Sequence, residues 1–125
     1  VTQFLIAVLD DDDHVRDATA SLLRSAGHRT RVFASVAAFS AHDAREIACI
    51  VSDYRMPGRS GLELLEELRA RACTVPFILV TAFLSEPLRR RALASGALAV
   101  LDKPLDEVRL LALLETALNG PAPQG

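Results

Sequence analysis

The sequence predicts a doubly wound α/β domain, a three-layer arrangement in which helices cover both faces of a parallel sheet. Three observations carry the prediction. Short apolar runs alternate with stretches of helical periodicity, and the pair recurs five times along the chain. Most of the runs are apolar throughout rather than at every second residue, as in strands buried on both faces. The connections are short, and strictly alternating elements with short connections build a parallel sheet.

The first run, Phe4 to Leu9, leads into four aspartates, Asp10 to Asp13. A helix is expected from Val15 to Ala26, with Val15, Ala18, Leu22 and Ala26 on one face and Gly27 as its stop. Arg29 to Phe33 alternates and predicts a strand, and Ser35 is placed to cap a brief helix from Val36 to about His42. Ile47 to Ser52 is the next strand and runs into Asp53. After the loop YRMPGRSG, Ser60 and Glu63 have the spacing of a capping box for a helix from Gly61 to Ala72. Phe77 to Val80 forms a strand ending at Thr81, and Ser85 caps a helix that runs to Ser95 and stops at Gly96. Ala99 to Leu101 leads into Asp102, Lys103 and Pro104. The last helix spans about Asp106 to Asn119, ended by Gly120 and Pro121. It offers two apolar faces. Leu111, Leu114 and Leu118 suit the core, whereas Leu110, Leu113 and Ala117 fit either a partner surface or a half-buried edge.

The 125 residues suit a single domain, read here as 1–120, with 121–125 as a tail or the start of a linker. Half of the residues are hydrophobic and 24% are charged, enough to form a core without disulfide or metal staples. Cys49 and Cys73 form no CxxC pair and read as reduced. A net charge of −2 supplies no field that would draw the chain to nucleic acid or to an anionic membrane. The consecutive Arg89, Arg90 and Arg91 point to different sides of a helix and form no single basic stripe. No run of apolar residues is long enough to span a bilayer, and no signal-peptide pattern is seen, so a cytoplasmic setting is expected.

In open α/β sheets ligands bind beyond the carboxyl ends of the strands. Asp10 and Asp11 follow the first strand, Asp53 the third, Thr81 the fourth and Lys103 the fifth. Carboxylates held together repel unless a cation joins them. Mg²⁺ meets that need with one or two carboxylates, waters and a phosphate oxygen. Lys103 adds a fixed positive charge and Thr81 a hydroxyl donor, so the set contains the parts for phosphoryl transfer. A carboxylate can itself be the nucleophile.

The motifs LDDDD, IVSDYRMPGRSG, LVTA and LDKP, each at a strand end and in this order, resemble the receiver domains of two-component response regulators, the CheY-like family. RMPGRSGLELLEEL is most similar to the subgroup of nitrogen-fixation regulators. The resemblance runs from about Phe4 to Asn119 and implies a flavodoxin-like (βα)5 fold with strand order 2-1-3-4-5. It implies that Asp53 accepts a phosphoryl group from a sensor histidine kinase or a phosphotransfer protein. Asp11 would bind Mg²⁺, or Mn²⁺ in its place, directly, Asp10 through water, and the Arg55 backbone carbonyl would be a further ligand. Lys103 and Thr81 would hold the phosphoryl group, Ala82 would leave access, and a cis peptide is expected before Pro104. The implied function is a switch rather than an enzyme, one that regulates transcription through an output domain outside this sequence. An output or dimer partner would dock on the 85–119 region.

The sequence departs from the pattern at Val100, where the family carries a switch aromatic. Coupling from Asp53 to the surface is therefore expected to be built differently. Arg55 and Phe83, two residues past Asp53 and Thr81, flank the path of an attacking water and predict slow hydrolysis. Asp12 and Asp13 read as helix-terminus charges, His14 as an exposed helix-start residue, and His28 and His42 as solvated. Two other functions compete. Asp11, Asp13 and Val15 spell DxDxV, which resembles the nucleophile motif of haloacid-dehalogenase-type phosphatases, but leaves Asp53 unexplained. A degenerate receiver that only binds proteins is the other, and the complete set of Asp10, Asp11, Asp53, Thr81 and Lys103 opposes it.

Overall fold

The computed structural model describes residues 4–40 and 44–119. Strands β1 (Leu5–Leu9), β2 (Arg29–Phe33), β3 (Cys49–Asp53), β4 (Phe77–Thr81) and β5 (Ala99–Asp102) form one parallel sheet in the order β2-β1-β3-β4-β5. Helices α1 (Asp13–Ser25), α2 (Val36–Ser40), α3 (Gly61–Ala70), α4 (Glu86–Ala94) and α5 (Glu107–Asn119) alternate with the strands. The sequence-predicted architecture and strand order are thus the observed ones. The expected continuation of α2 to His42, the stop at Gly120 and Pro121 and the tail 121–125 lie outside the described residues.

Successive strand residues point to opposite faces of the sheet, and the core divides accordingly. On one face Leu5, Ala7, Leu9, Ile50, Phe77, Leu79 and Val100 pack with Phe33, Phe39, Leu62, Leu65, Leu68 and Ala92, which brings in α2, α3 and α4. On the other, Ile6, Val8, Cys49, Val51, Ile78, Val80, Ala99 and Leu101 meet Leu23 of α1 and Leu110 and Leu114 of α5. Burying each large aliphatic side chain contributes about 1.5–3 kcal/mol, so both helical layers are tied firmly to the sheet. Burial also pushes the Cys49 thiol up to about 12, as for an inert core residue.

Two helix faces differ from expectation. The core stripe of α5 is Leu110 and Leu114, with Leu111, Leu113 and Leu118 half-buried beside it. Leu110 is therefore a core residue rather than part of a free surface. An almost continuously apolar helix has no single stripe for periodicity to select, and its position over β3, at the middle of the sheet, decides. In α1 the buried residues are Thr19, Ala20 and Leu23, while Val15 and Leu22 are half-buried and Ala18 and Ala26 exposed. The face is rotated by one residue so that Leu23 enters the core.

The serine caps and the glycine stops are as expected, whereas α1 begins at Asp13, two residues before the expected Val15, with Asp12 as its cap. Asp12 accepts from the His14 and Val15 N–H groups, Ser60 and Glu63 form a reciprocal capping box, and Ser85 accepts from the Leu88 N–H. Gly27 and Gly96 follow α1 and α4 with φ of 95° and 104°. α3 ends at Ala70, before the expected Ala72, because Ala72 itself takes φ 62°, a turn with no glycine to announce it. β3 begins at Cys49 rather than Ile47, behind a short 3₁₀ turn, Ala44–Glu46, that three residues could not signal in sequence. Among the described residues no helix is long and apolar enough to cross a membrane.

Candidate functional site

The β1–β3 and β3–β4 pairings bring the strand ends together: Leu9 lies opposite Ser52, Asp53 opposite Val80, and Thr81 opposite Asp102. Beyond β1, the Asp10 N–H donates to the Phe33 carbonyl, which continues the sheet by one residue and fixes the carboxylate at the edge. Asp10 Oδ1 accepts from the Asp12 N–H at 2.9 Å, and Oδ2 accepts from Lys103 Nζ at 3.0 Å. Asp53 is 8% exposed and its Oδ2 lies 3.4 Å from the same Lys103 Nζ. The Lys103 N–H donates to the Thr81 carbonyl, and the Lys103–Pro104 peptide is cis, as expected.

Carboxylate oxygens of Asp10, Asp11 and Asp53 all lie within 4.8 Å of one another, with Asp11 exposed and the other two buried. They belong to an open cavity of about 470 Å³ that is also lined by Asp12, Arg55, Thr81, Ala82, Phe83 and Lys103. Thr81 is buried, and its Oγ1 accepts from the Phe83 N–H at 3.1 Å. The Arg55 guanidinium sits 5.5 Å from the centroid of the Phe83 ring. Val100 faces the opposite way from Ala99 and Leu101, buried in the α3–α4 side of the core.

The remaining acidic residues serve the helix. Asp12 caps α1, and these backbone donors hold its carboxyl below the usual range. Asp13 pairs with Arg16 at 2.6 Å, and Arg16 also donates to the Asp10 carbonyl at 3.0 Å. His14 is exposed and His28 half-buried, and His42 lies outside the described residues.

The electrostatics of the cluster are unbalanced. Burial, and then the negative charge of Asp10, raise the Asp53 carboxyl above its ordinary value, against the opposing pull of Lys103. Burial alone would lower the Lys103 ammonium, but the bonds to Asp10 and Asp53 more than offset this and hold it above the lysine range. Two of the three clustered carboxylates thus share one ammonium, and Asp11 adds a third negative charge beside them. An all-oxygen donor set with surplus negative charge fits a hard divalent cation. A carboxyl whose pKa is raised by folding costs stability above that raised value, and the cost fades as pH falls through it. Asp53→Asn is therefore expected to raise the Tm by roughly 2–5 °C at neutral pH without divalent cation. The gain should shrink towards acid, and Mg²⁺ should stabilise the unsubstituted chain more than the variant. Thermal melts at two pH values check this, and a lower Tm for Asp53→Asn would mean that its pairing with Lys103 dominates.

Gly61, absent from the sequence-predicted set, governs the geometry. A Cβ at this position would lie 2.3 Å from the Asp53 carbonyl oxygen, 2.9 Å from Ser52 Oγ and 3.0 Å from Leu79 Cδ1. The first turn of α3 thus rests directly on the backbone that carries Asp53. A glycine immediately after a Ser cap, where better helix formers abound, is the sequence signal for such an approach.

Comparison with known proteins agrees with this geometry. The family described as "Response regulator receiver domain" matches residues 6–115. The chain is 42% identical over 121 residues to the transcriptional regulatory protein FixJ of Azorhizobium caulinodans, covering 96% of this chain and 57% of that protein. It is 36% identical over 117 residues to the response regulator protein TmoT of Ectopseudomonas mendocina, covering 92% and 53%. The chain therefore spans between half and three-fifths of these relatives. Among solved structures, the response regulator StyR superposes with a TM-score of 0.86 at 39% identity, covering 94% of this chain and 60% of that one. FixJ-N superposes with a TM-score of 0.84 at 27% identity, covering 98% of each. With the matched family extending over nearly every element of the sheet and its helices, the chain belongs to the response regulator receiver domains.

Proposed function

We propose that the chain is a phosphorylation switch in which Asp53 accepts a phosphoryl group from a phosphohistidine of a sensor histidine kinase or phosphotransfer protein. The observation that carries this is the meeting of the Asp53 carboxylate with Lys103 Nζ and the Thr81 side chain in one open cavity. An Asp53 carboxylate oxygen attacks phosphorus in line. The P–N bond to the donor imidazole breaks, and that nitrogen keeps the electron pair and takes up a proton. Lys103 neutralises the oxygens that gain charge, and the Thr81 hydroxyl donates to one of them. Asp10, Asp11, Asp53 and the Arg55 carbonyl are the groups that would hold Mg²⁺ or Mn²⁺. When bound, the cation offsets the mutual repulsion of the carboxylates and the phosphate. Ala82 is small enough to leave access to Asp53, whereas Arg55 and Phe83 crowd the path of a hydrolytic water and favour slow autodephosphorylation.

FixJ is named a transcriptional regulatory protein and TmoT a response regulator protein. Their names support a role for this domain in controlling transcription, through an output domain or a dimer partner engaged by the 85–119 region. The experiment is labelling with a small-molecule phosphodonor read by intact mass. One phosphoryl group is expected on the unsubstituted chain with Mg²⁺, and none on Asp53→Asn or without divalent cation. Persistent labelling of Asp53→Asn would move the acceptor elsewhere. No labelling at all, under conditions that phosphorylate another receiver, would favour a domain that only binds proteins.

A further inference from the structure

Phe83 is 72% exposed, yet two contacts fix it: its N–H donates to Thr81 Oγ1 at 3.1 Å, and its ring lies under the Arg55 guanidinium. The second contact joins the loop after β3 to the loop after β4 across the mouth of the cavity that holds Asp53, while the first ties Phe83 to the end of β4. Holding a phosphoryl group requires neither of them, and phosphorylation would compete with both.

Thr81 is β-branched, so its hydroxyl moves between staggered positions rather than by small degrees. Turning Oγ1 to donate to a phosphoryl oxygen takes it out of line with the Phe83 N–H. Arg55 faces a similar choice. Its guanidinium sits over an exposed ring, a weak contact, beside a cavity that would then contain a phosphoryl group. A charge-assisted hydrogen bond to that group is the stronger alternative. One event at Asp53 thus draws both partners away from Phe83.

The chain beyond Phe83 is able to move. Leu84, the next residue, and Leu88 of α4 pack only partly buried against the core cluster that contains Val100. A cleft of about 360 Å³ opens beside Leu84, between Val100, Arg89 and Arg109. Aliphatic Val100 puts no ring into that space. The far end of α4 is pinned. Arg91 donates twice to the Glu66 carboxylate, at 3.0 and 3.1 Å, Ser95 Oγ donates to the same carboxylate, and Arg69 donates to the Gly96 carbonyl. A helix held only by half-buried packing at its N-terminus and by ion pairs and hydrogen bonds at its C-terminus can pivot about the pinned end.

We infer that Arg55 and Phe83 form a latch across the phosphorylation cavity, released when Thr81 and Arg55 turn to the phosphoryl group, and that its release swings the N-terminal end of α4. The inference rests on Asp53 being the phosphoacceptor. In this chain the mobile aromatic is therefore Phe83, on the loop after β4.

Amide NMR on the full chain, with the phosphorylated fraction of the same sample read by intact mass, tests the latch. On phosphorylation by a small-molecule donor and Mg²⁺, solvent exchange of the Phe83 N–H should rise at least about tenfold. Amide shifts should be larger over 84–90 than over 93–96. In Phe83→Ala, at equal phosphorylated fraction, the shifts over 84–90 should fall by half or more. A phosphorylated chain whose Phe83 amide keeps its protection would overturn the latch and leave Asp53 as the acceptor. So would a Phe83→Ala variant that transmits the full change to α4. Absence of any phosphoryl mass would sink the Asp53 assignment, and the latch with it.

Discussion

Lys103→Met should lower the rate of phosphodonor labelling at Asp53 by about 10²–10³-fold, the usual loss when one preorganised charge is removed from a developing anion. Methionine keeps much of the apolar stem and removes the ammonium. That ammonium lies 3.0 Å from Asp10 and 3.4 Å from Asp53, in a cluster that holds three carboxylates. Without it the Asp53 carboxyl loses the influence that opposes burial and Asp10, so its pKa rises further. Each phosphoryl oxygen then meets less compensating charge. Lys103→Arg should recover only part of the rate, since a planar fork replaces a compact ammonium that serves two carboxylates at once. Rates are measured at saturating Mg²⁺ and well below the Tm of each variant, so that loss of folding is not read as loss of chemistry. A decrease below about fivefold for Lys103→Met would leave the metal and Thr81 as the groups that hold the phosphoryl oxygens.

The order of elements and the place of the cluster were legible because both follow from short-range signals. Continuous apolar runs mark strands buried on two faces, and a parallel sheet gathers whatever follows each run at one edge. Asp10, Asp53, Thr81 and Lys103 could therefore be brought together before any coordinates, although Lys103 is 93 residues from Asp10. The serine helix caps were equally visible, since Ser60 and Ser85 act on amides three residues away. What sequence concealed depends on how layers meet. The α5 stripe could not be chosen between Leu110 and Leu111 because both neighbours are apolar and only the sheet beneath distinguishes them. The turn at Ala72 carries no glycine. The Arg55–Phe83 contact joins two loops whose side chains have no periodicity, so their proximity to the cavity could be anticipated but not their contact with each other. The Val100 departure was visible as a residue type, while its consequence, a cleft beside Leu84, requires the packing.

Gly61→Ala is expected to be the most destabilising single-methyl change near the site, by about 2–4 kcal/mol, or a Tm lower by roughly 10 °C. Alanine in the first turn of a helix would ordinarily gain up to about 1 kcal/mol over glycine, partly through the unfolded chain. Here the added Cβ would sit 2.3 Å from the Asp53 carbonyl oxygen. Ser52 Oγ and Leu79 Cδ1, at 2.9 and 3.0 Å, can turn aside, but the carbonyl belongs to β3, and β3 is held between β1 and β4. The helix must therefore lift, and α3 cannot lift without unseating Leu62 and Leu65, which are buried beneath it. The steric cost exceeds the propensity gain, so the sign is a loss. Function should suffer beyond stability. Lifting α3 draws on the 54–60 loop and shifts the backbone of Asp53 relative to Lys103, and displacements of about 1 Å at a reacting group can cost up to 10²-fold. Labelling of the folded variant well below its Tm should be about tenfold slower than that of the unsubstituted chain. A variant with unchanged Tm and labelling rate would show that α3 does not bear on the Asp53 backbone, and that the position of this carboxylate is set by the sheet alone.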